Sequence, residues 1–264
     1  MWGRITSVFR RPAPALHIAD DEGDGPVVIF LHGIASSAAT WNPVIPALTA
    51  HYRCIAIDLL GFGESAAPVG TTFTIEEHVA AIRSTIESLR LTAPFILVGH
   101  SLGSLLSARY AARYPAHVSR LVLVSPPVYI APAAIGDPRV RARVDGYMKA
   151  YEFLRSNKSF TIANAARIGK VLGISSIFEI SDRNWDAFIL SLQNCIESQT
   201  TVSDIAAVAV PIDVIYGSLD QFIAPGTMQI IEQMRHVTMH RVEANDHLVR
   251  KRLAREVVAV VDYR

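Results

Sequence analysis

Six short apolar runs recur along the chain: 26–33 (PVVIFLHG), 52–61 (YRCIAIDLLG), 95–101 (FILVGHS), 118–127 (VSRLVLVSPP), 211–220 (PIDVIYGSLD) and 237–246 (VTMHRVEAND). Most are apolar at consecutive positions instead of alternating with polar residues, the pattern of strands buried on both faces. Amphipathic stretches at roughly 75–90, 102–114, 226–236 and 247–262 stand between or after them. Strands apolar on both sides need cover on both sides, so the alternation predicts a mostly parallel sheet flanked by helices. The fold class is α/β. Half of the 264 residues are hydrophobic and 19% are charged, enough apolar material for a large core.

One interval breaks the rhythm. From Val128 to about Val208 the strand signal vanishes and helical patterns follow one another. The last begins near Ser181-Asp182 and carries Trp185, Phe188, Ile189, Leu192, Cys195 and Ile196 on one apolar face. An insertion after the carboxyl end of a strand lies over the edge where open α/β sheets bind ligands. The reading is therefore a core domain of residues 1–127 and 209–264, with 128–208 as a helical cap.

With 25 basic and 24 acidic residues the net charge is +1, which gives no reason to expect a nucleic-acid partner. Cys54 and Cys195 stand far apart in apolar surroundings, so both are expected to be buried free thiols of a reducing compartment. No apolar run reaches the ~18 residues of a membrane span, and the first residues lack the apolar stretch of a secretory leader. A cytoplasmic location is expected. No phosphate-cradling glycine loop or metal-ligand cluster is present, so neither cofactor nor metal is implied.

Chemistry is concentrated where the third run breaks. Gly99-His100-Ser101-Leu102-Gly103 is a G-x-S-x-G pattern between a predicted strand and a predicted helix. A turn that tight forces its apex residue into a strained backbone, and glycines two positions away on each side make room. Ser101 is the expected nucleophile. A serine hydroxyl needs a base, and the base needs an acid to orient it. Of nine histidines, His247 alone follows a strand end downstream of the serine, whereas His117, His236 and His240 read as surface or core residues. Asp220 closes the fifth run and is the expected acid; its alternative role is to cap the helix that starts near Pro225-Gly226. The backbone N–H groups of Leu102 and Ile34 are candidates for the oxyanion hole, with His32 bracing the loop by hydrogen bonds.

With these residues in this order, the chain resembles the α/β-hydrolase superfamily, in its serine-nucleophile, esterase- or lipase-like branch with a helical cap. The resemblance includes the His32-Gly33 pair with Trp41 eight residues beyond the glycine, and Asp58-Leu-Leu-Gly61-Phe-Gly63-Glu-Ser65, which looks like the family's D-x-x-G-x-G-x-S turn. It implies an eight-stranded, mostly parallel sheet whose second strand is antiparallel, with the lid between the sixth and seventh strands. Two positions depart from the common pattern. Ser104 replaces a frequent glycine, and Asp246 stands before the histidine, where it would pull the local loop or add negative charge near the imidazole.

A serine at the elbow separates the chain from the branch resembling haloalkane dehalogenases and epoxide hydrolases, which use aspartate there. Hydrolysis of small esters or lactones is the leading expectation. Carbon–carbon cleavage of ring-cleavage diketones is an alternative, although Leu248 stands where that group usually has tryptophan. A ligand receptor with little turnover is the other alternative. Trp41, Tyr129, Trp185, Phe188, Phe222 and Leu248 are the expected pocket residues and suit an apolar or aromatic substrate.

Overall fold

A computed structural model describes residues 13–129, 137–171, 179–198, 200–223 and 227–262. Its elements run β1 (Ile18–Glu22), β2 (Val27–Leu31), α1 (Ile45–Leu48), β3 (Arg53–Ile57), α2 (Ile75–Ser88), β4 (Phe95–His100), α3 (Leu102–Arg113) and β5 (Val118–Val124). Helices α4 (Pro138–Ser156), α5 (Lys158–Ala163), α6 (Ala165–Val171), α7 (Trp185–Ser191) and α8 (Thr201–Ala207) follow. The chain ends with β6 (Ile212–Gly217), α9 (Thr227–Glu232), β7 (Val237–Val242) and α10 (Lys251–Asp262). All six apolar runs contain a strand.

The strands form one sheet in the order β1-β3-β2-β4-β5-β6-β7. Only β1 is antiparallel to its neighbour. The sheet has seven strands among the described residues, one fewer than the family resemblance implies, and residues 1–12 lie outside them. The shift of one in the count also explains why the helical insertion follows the fifth described strand, not the sixth. β1 itself escaped the periodicity reading for a physical reason. It is a sheet-edge strand, IADDE, with no fully buried residue, so nothing requires an apolar run there.

Alternation along the inner strands divides the core in two. Ile29, Leu31, Leu97, Leu121 and Leu123 belong to the half that includes α2, α3 and the inserted helices. Val28, Phe30, Val98, Val122 and Val124 belong to the half covered by α1 and α10. In α10, Leu253, Ala254, Val257, Val260 and Val261 are buried, while the basic residues of 250–252 are exposed. The second half of the insertion is fastened to the core. His78 Nε2 lies 2.9 Å from Ser191 Oγ, Asn194 Nδ2 donates to Thr72 O at 2.7 Å, and Arg109 Nε pairs with Asp204 Oδ1 at 2.8 Å. After α7 the chain continues as a π-helical turn, Leu192–Glu197, a feature with no signature in apolar spacing.

Asp58 anchors the turn after β3. It is buried, and its carboxylate accepts from Ala38 N at 2.8 Å and Glu64 N at 2.9 Å, with His17 Nδ1 at 3.0 Å. Burial alone would raise the pKa of this acid, but the Glu64 and Ala38 N–H groups and His17 outweigh it and hold the pKa below 3.8. A depressed folded-state pKa contributes stability above 3.8 that is lost as pH falls through the folded value. Asp58→Asn is therefore expected to cost about 2 kcal/mol at pH 7. In urea titrations at several pH values, the gap from wild type should narrow below the ordinary carboxylate pKa.

Candidate active site

The elbow is formed where β4 meets α3. Ser101, between them, has φ 51° and ψ −119°, a conformation that ordinary residues avoid. Sterics of the surrounding chain account for both glycines. A Cβ on Gly99 would fall 2.3 Å from Gly103 O, and one on Gly103 would fall 2.4 Å from Leu31 O and 2.5 Å from His32 O. α3 therefore begins in backbone contact with the carboxyl end of β2. Ser101 N donates to Val124 O at 2.9 Å, and the Ser104 hydroxyl donates to the Ser101 carbonyl. Serine in place of the frequent glycine thus adds a hydrogen bond to the turn.

His247 and Asp220 come together from the ends of neighbouring strands. His247 Nδ1 lies 2.8 Å from Asp220 Oδ2, and both side chains are buried. Burial would raise the Asp220 pKa, but the charge and hydrogen bond of His247 and the Phe222 N–H pull it below its ordinary value. An ionised carboxylate only accepts, so in the neutral form of the ring the proton sits on Nδ1 and Nε2 carries the lone pair. The two loops are tied together. Leu219 N donates to Asn245 O at 2.9 Å, and a Cβ on Gly217 would meet Asn245 O at 2.2 Å. Phe222 N donates to Asp220 Oδ1 at 2.9 Å, and the Phe222 ring stands edge-on to His247 at 4.7 Å.

Ser101 is close behind, with 7% of its surface exposed. Its neighbour His100 has its ring 4.8 Å from that of His247. No hydrogen bond joins Ser101 Oγ to His247 among the described residues. Nucleophile–base bonds in unliganded sites commonly tighten only when substrate binds.

On the facing loop, His32 Nε2 accepts from Leu59 N at 2.8 Å, so Nδ1 carries the proton and donates to Gly33 O at 2.7 Å. Burial pulls the His32 pKa down to about 4, keeping the ring neutral as a brace. The loop is also held from the insertion by Glu179 N, which donates to Ala35 O at 2.8 Å. Ile34 lies on this loop. Leu102, as the first residue of α3, has an N–H with no acceptor within the helix.

The six expected pocket residues separate into two groups. Phe222 touches His247, Leu248 adjoins it in the chain, and Tyr129 feels the Asp220 charge from nearby. Trp185 and Phe188, both on the inserted helix α7, are buried against each other, their ring centroids 6.1 Å apart. Trp41 is fully buried behind the elbow, against Phe30 at 5.1 Å and His100 at 6.4 Å between ring centroids. Of the other histidines weighed as bases, His117 meets Tyr110 Oη at 2.8 Å, His236 meets Ile205 O at 3.0 Å and His240 meets Asp213 at 2.8 Å. The Asp246 carboxylate accepts from Leu248 N at 3.2 Å and pairs with the Arg250 guanidinium, so it ties down the loop that carries His247.

Three neighbours of the site were not singled out by sequence reasoning. The Tyr151 hydroxyl is 3.0 Å from that of Tyr129, and the Tyr147 hydroxyl donates to the Gln221 carbonyl, next to Asp220. The i, i+4 spacing of Tyr147 and Tyr151 on a predicted helix is the signal that was available. The third is His100. Among the described residues, no group of three or more His, Cys, Asp or Glu side chains is arranged to hold a metal.

Residues 26–161, just over half of the chain, match the family model described as alpha/beta hydrolase fold, and the chain belongs to that family. Over 116 residues it is 39% identical to a probable lysophospholipase, BODYGUARD 3, of Arabidopsis thaliana, covering 42% of this chain and 23% of that protein. It is 38% identical over 107 residues to 2-hydroxy-6-oxo-2,4-heptadienoate hydrolase of Pseudomonas putida, covering 39% and 38%. The matched segment thus spans about a quarter to two fifths of these relatives' length. The fold matches the crystal structure of the enol-lactonase from Burkholderia xenovorans LB400 with a TM-score of 0.67 and 21% identity, over 93% of this chain and 94% of that one.

The close packing of Gly103 at the elbow gives a direct test. Gly103→Ala is expected to destabilise the fold by ~3 kcal/mol, because two backbone carbonyls must yield to one methyl group. Chemical denaturation measures it.

Proposed function

We propose that the protein is a serine hydrolase that cleaves esters or lactones of small, apolar or aromatic substrates through an acyl-enzyme. The observation that carries this reading is the strained Ser101 at a strand-to-helix apex, beside a buried His247–Asp220 pair bonded at 2.8 Å. In this reading Ser101 Oγ attacks the carbonyl carbon while His247 Nε2 takes the hydroxyl proton. Asp220 holds the ring in the tautomer that accepts at Nε2 and stabilises the imidazolium. The Leu102 and Ile34 N–H groups receive the oxyanion. His247 then protonates the leaving alkoxide, and water drawn on by the same ring releases the acid.

Residues 128–208 act as the cap over this site, with Tyr129, Phe222 and Leu248 facing the substrate and Trp185 and Phe188 stiffening the inserted helices. The relatives named as probable lysophospholipases support the ester reading. The hydrolase of Pseudomonas putida favours a second one, in which the same three residues cleave a carbon–carbon bond of a ring-cleavage diketone. No helix among the described residues is long and apolar enough to cross a membrane. The buried, unpaired Cys54 and Cys195 support a reducing, cytoplasmic location.

Sustained release of nitrophenol from a short-chain nitrophenyl ester is the expected result, whereas a single stoichiometric burst would favour a ligand-trapping receptor. Ser101→Ala and His247→Ala should each lower kcat by about 10⁴-fold or more, and the double variant little further, because the parts act as a unit. A diketone turned over faster than any ester would select the second reading.

A further inference from the structure

His100 lies where three parts of the site meet. It ends β4, immediately before Ser101. Its Nε2 is 2.9 Å from the main-chain oxygen of His247. A carbonyl accepts, so Nε2 carries the proton and donates. That leaves the lone pair on Nδ1, which is buried without a hydrogen-bond partner. A Cβ placed on Gly33 would stand 3.2 Å from this Nδ1 and 3.1 Å from Ser101 Cβ, so the oxyanion loop presses on the other side of the ring. Trp41 meets the ring at 88°, 6.4 Å between centroids, and fills the space behind it.

A donor of this kind is not needed to build the elbow. The strained apex requires small residues at 99 and 103, and the position before the serine is left open by those sterics. A purely structural residue at 100 would be served by an apolar side chain, which creates no buried, unpartnered nitrogen. What the imidazole provides is a bond across 147 positions of sequence, from the residue beside the nucleophile to the backbone of the base. The His247 side chain is already held by Asp220, and its backbone is held here, so both ends of the base are restrained. Burial pulls the His100 pKa down to about 3, so the ring stays neutral and this bond does not switch within the range in which a histidine base works.

We propose that His100 is a positioning residue: its Nε2–H, bonded to the His247 carbonyl, sets the base in register with Ser101 and the oxyanion loop. The inference rests on the reading of Ser101 and His247 as nucleophile and base. A shift of about 1 Å in a positioned group costs up to about 100-fold in rate, which sets the scale of the effect.

Three variants separate the donor from the space it fills. In His100→Gln the amide nitrogen stands near the place of Nε2 and keeps the donor. In His100→Asn the amide reaches only the place of Nδ1, and His100→Phe keeps the ring without any donor. With a nitrophenyl ester, kcat should fall about 10- to 100-fold in the Phe and Asn variants with KM little changed, and should stay within a few-fold of wild type in the Gln variant. Hydrogen exchange supplies a readout independent of chemistry: backbone amides of 245–249 should exchange faster in the Phe and Asn variants and at the wild-type rate in the Gln variant. If the Phe variant does not fold, the Gln and Asn pair carries the comparison. Equal kcat in Gln and Asn variants that both fold, or exchange at 245–249 that is the same in all, would overturn the inference. A wild-type protein that turns over no ester or diketone would instead overturn the functional reading, while the exchange comparison would still test the clamp.

Discussion

Helix α3 starts in van der Waals contact with the end of β2, where the Gly103 Cα faces the Leu31 and His32 carbonyl oxygens with no room for a methyl group. That contact allows strand β4 to turn into α3 with a single residue at the apex, and the apex residue is Ser101 at φ 51°. The parallel sheet makes the contact productive. β4 is flanked by β2 and β5, so the carboxyl ends of the central strands present the loop of residues 32–34 on one side of the serine and Ser125 on the other. With a bulkier residue at 103 the helix would have to move away from β2, taking the Leu102 N–H with it.

Many of the polar groups around the apex are bound to one another, which matters because the site is buried. Asp220 has His247 and the Phe222 N–H, His32 has Gly33 and Leu59, and Asp58 has three donors. In a low-dielectric setting such networks specify geometry, since each group left alone is costly. The lone pair of His100 Nδ1 is an exception beside the serine, and the other nitrogen of that ring reaches the main-chain oxygen of His247. The inserted helices reach the same centre through the tyrosines: Tyr147 bonds the carbonyl of Gln221, one residue beyond Asp220. A helix of the insertion thereby bears on the loop that carries Asp220.

Much of this was legible in the chain, and the omissions have physical causes. Inner strands announce themselves because both faces are buried, as in VVIFL at β2 and FILVGH at β4. β1 does not, because a sheet-edge strand satisfies its few contacts with IADDE. Ser101, Asp220 and His247 could be singled out because each follows the carboxyl end of a strand, and strand ends of one parallel sheet share an edge. His100 was hidden by its own motif, where it reads as the variable position. Its hydrogen bond is to a main-chain atom, and no side-chain pattern encodes such a partner. Trp41 shows the reverse problem. Its position beside a motif residue suggested the pocket, but its side chain is fully buried and packs against Phe30 and His100.

The central claim is that one hydroxyl is activated by the folded arrangement. Labelling the native protein with a fluorophosphonate, followed by peptide mapping, tests it most directly. The account predicts a single phosphonyl adduct on Ser101 that does not form once the protein is unfolded in urea. No adduct on the native protein, or an adduct on a different serine with Ser101 unmodified, would contradict it.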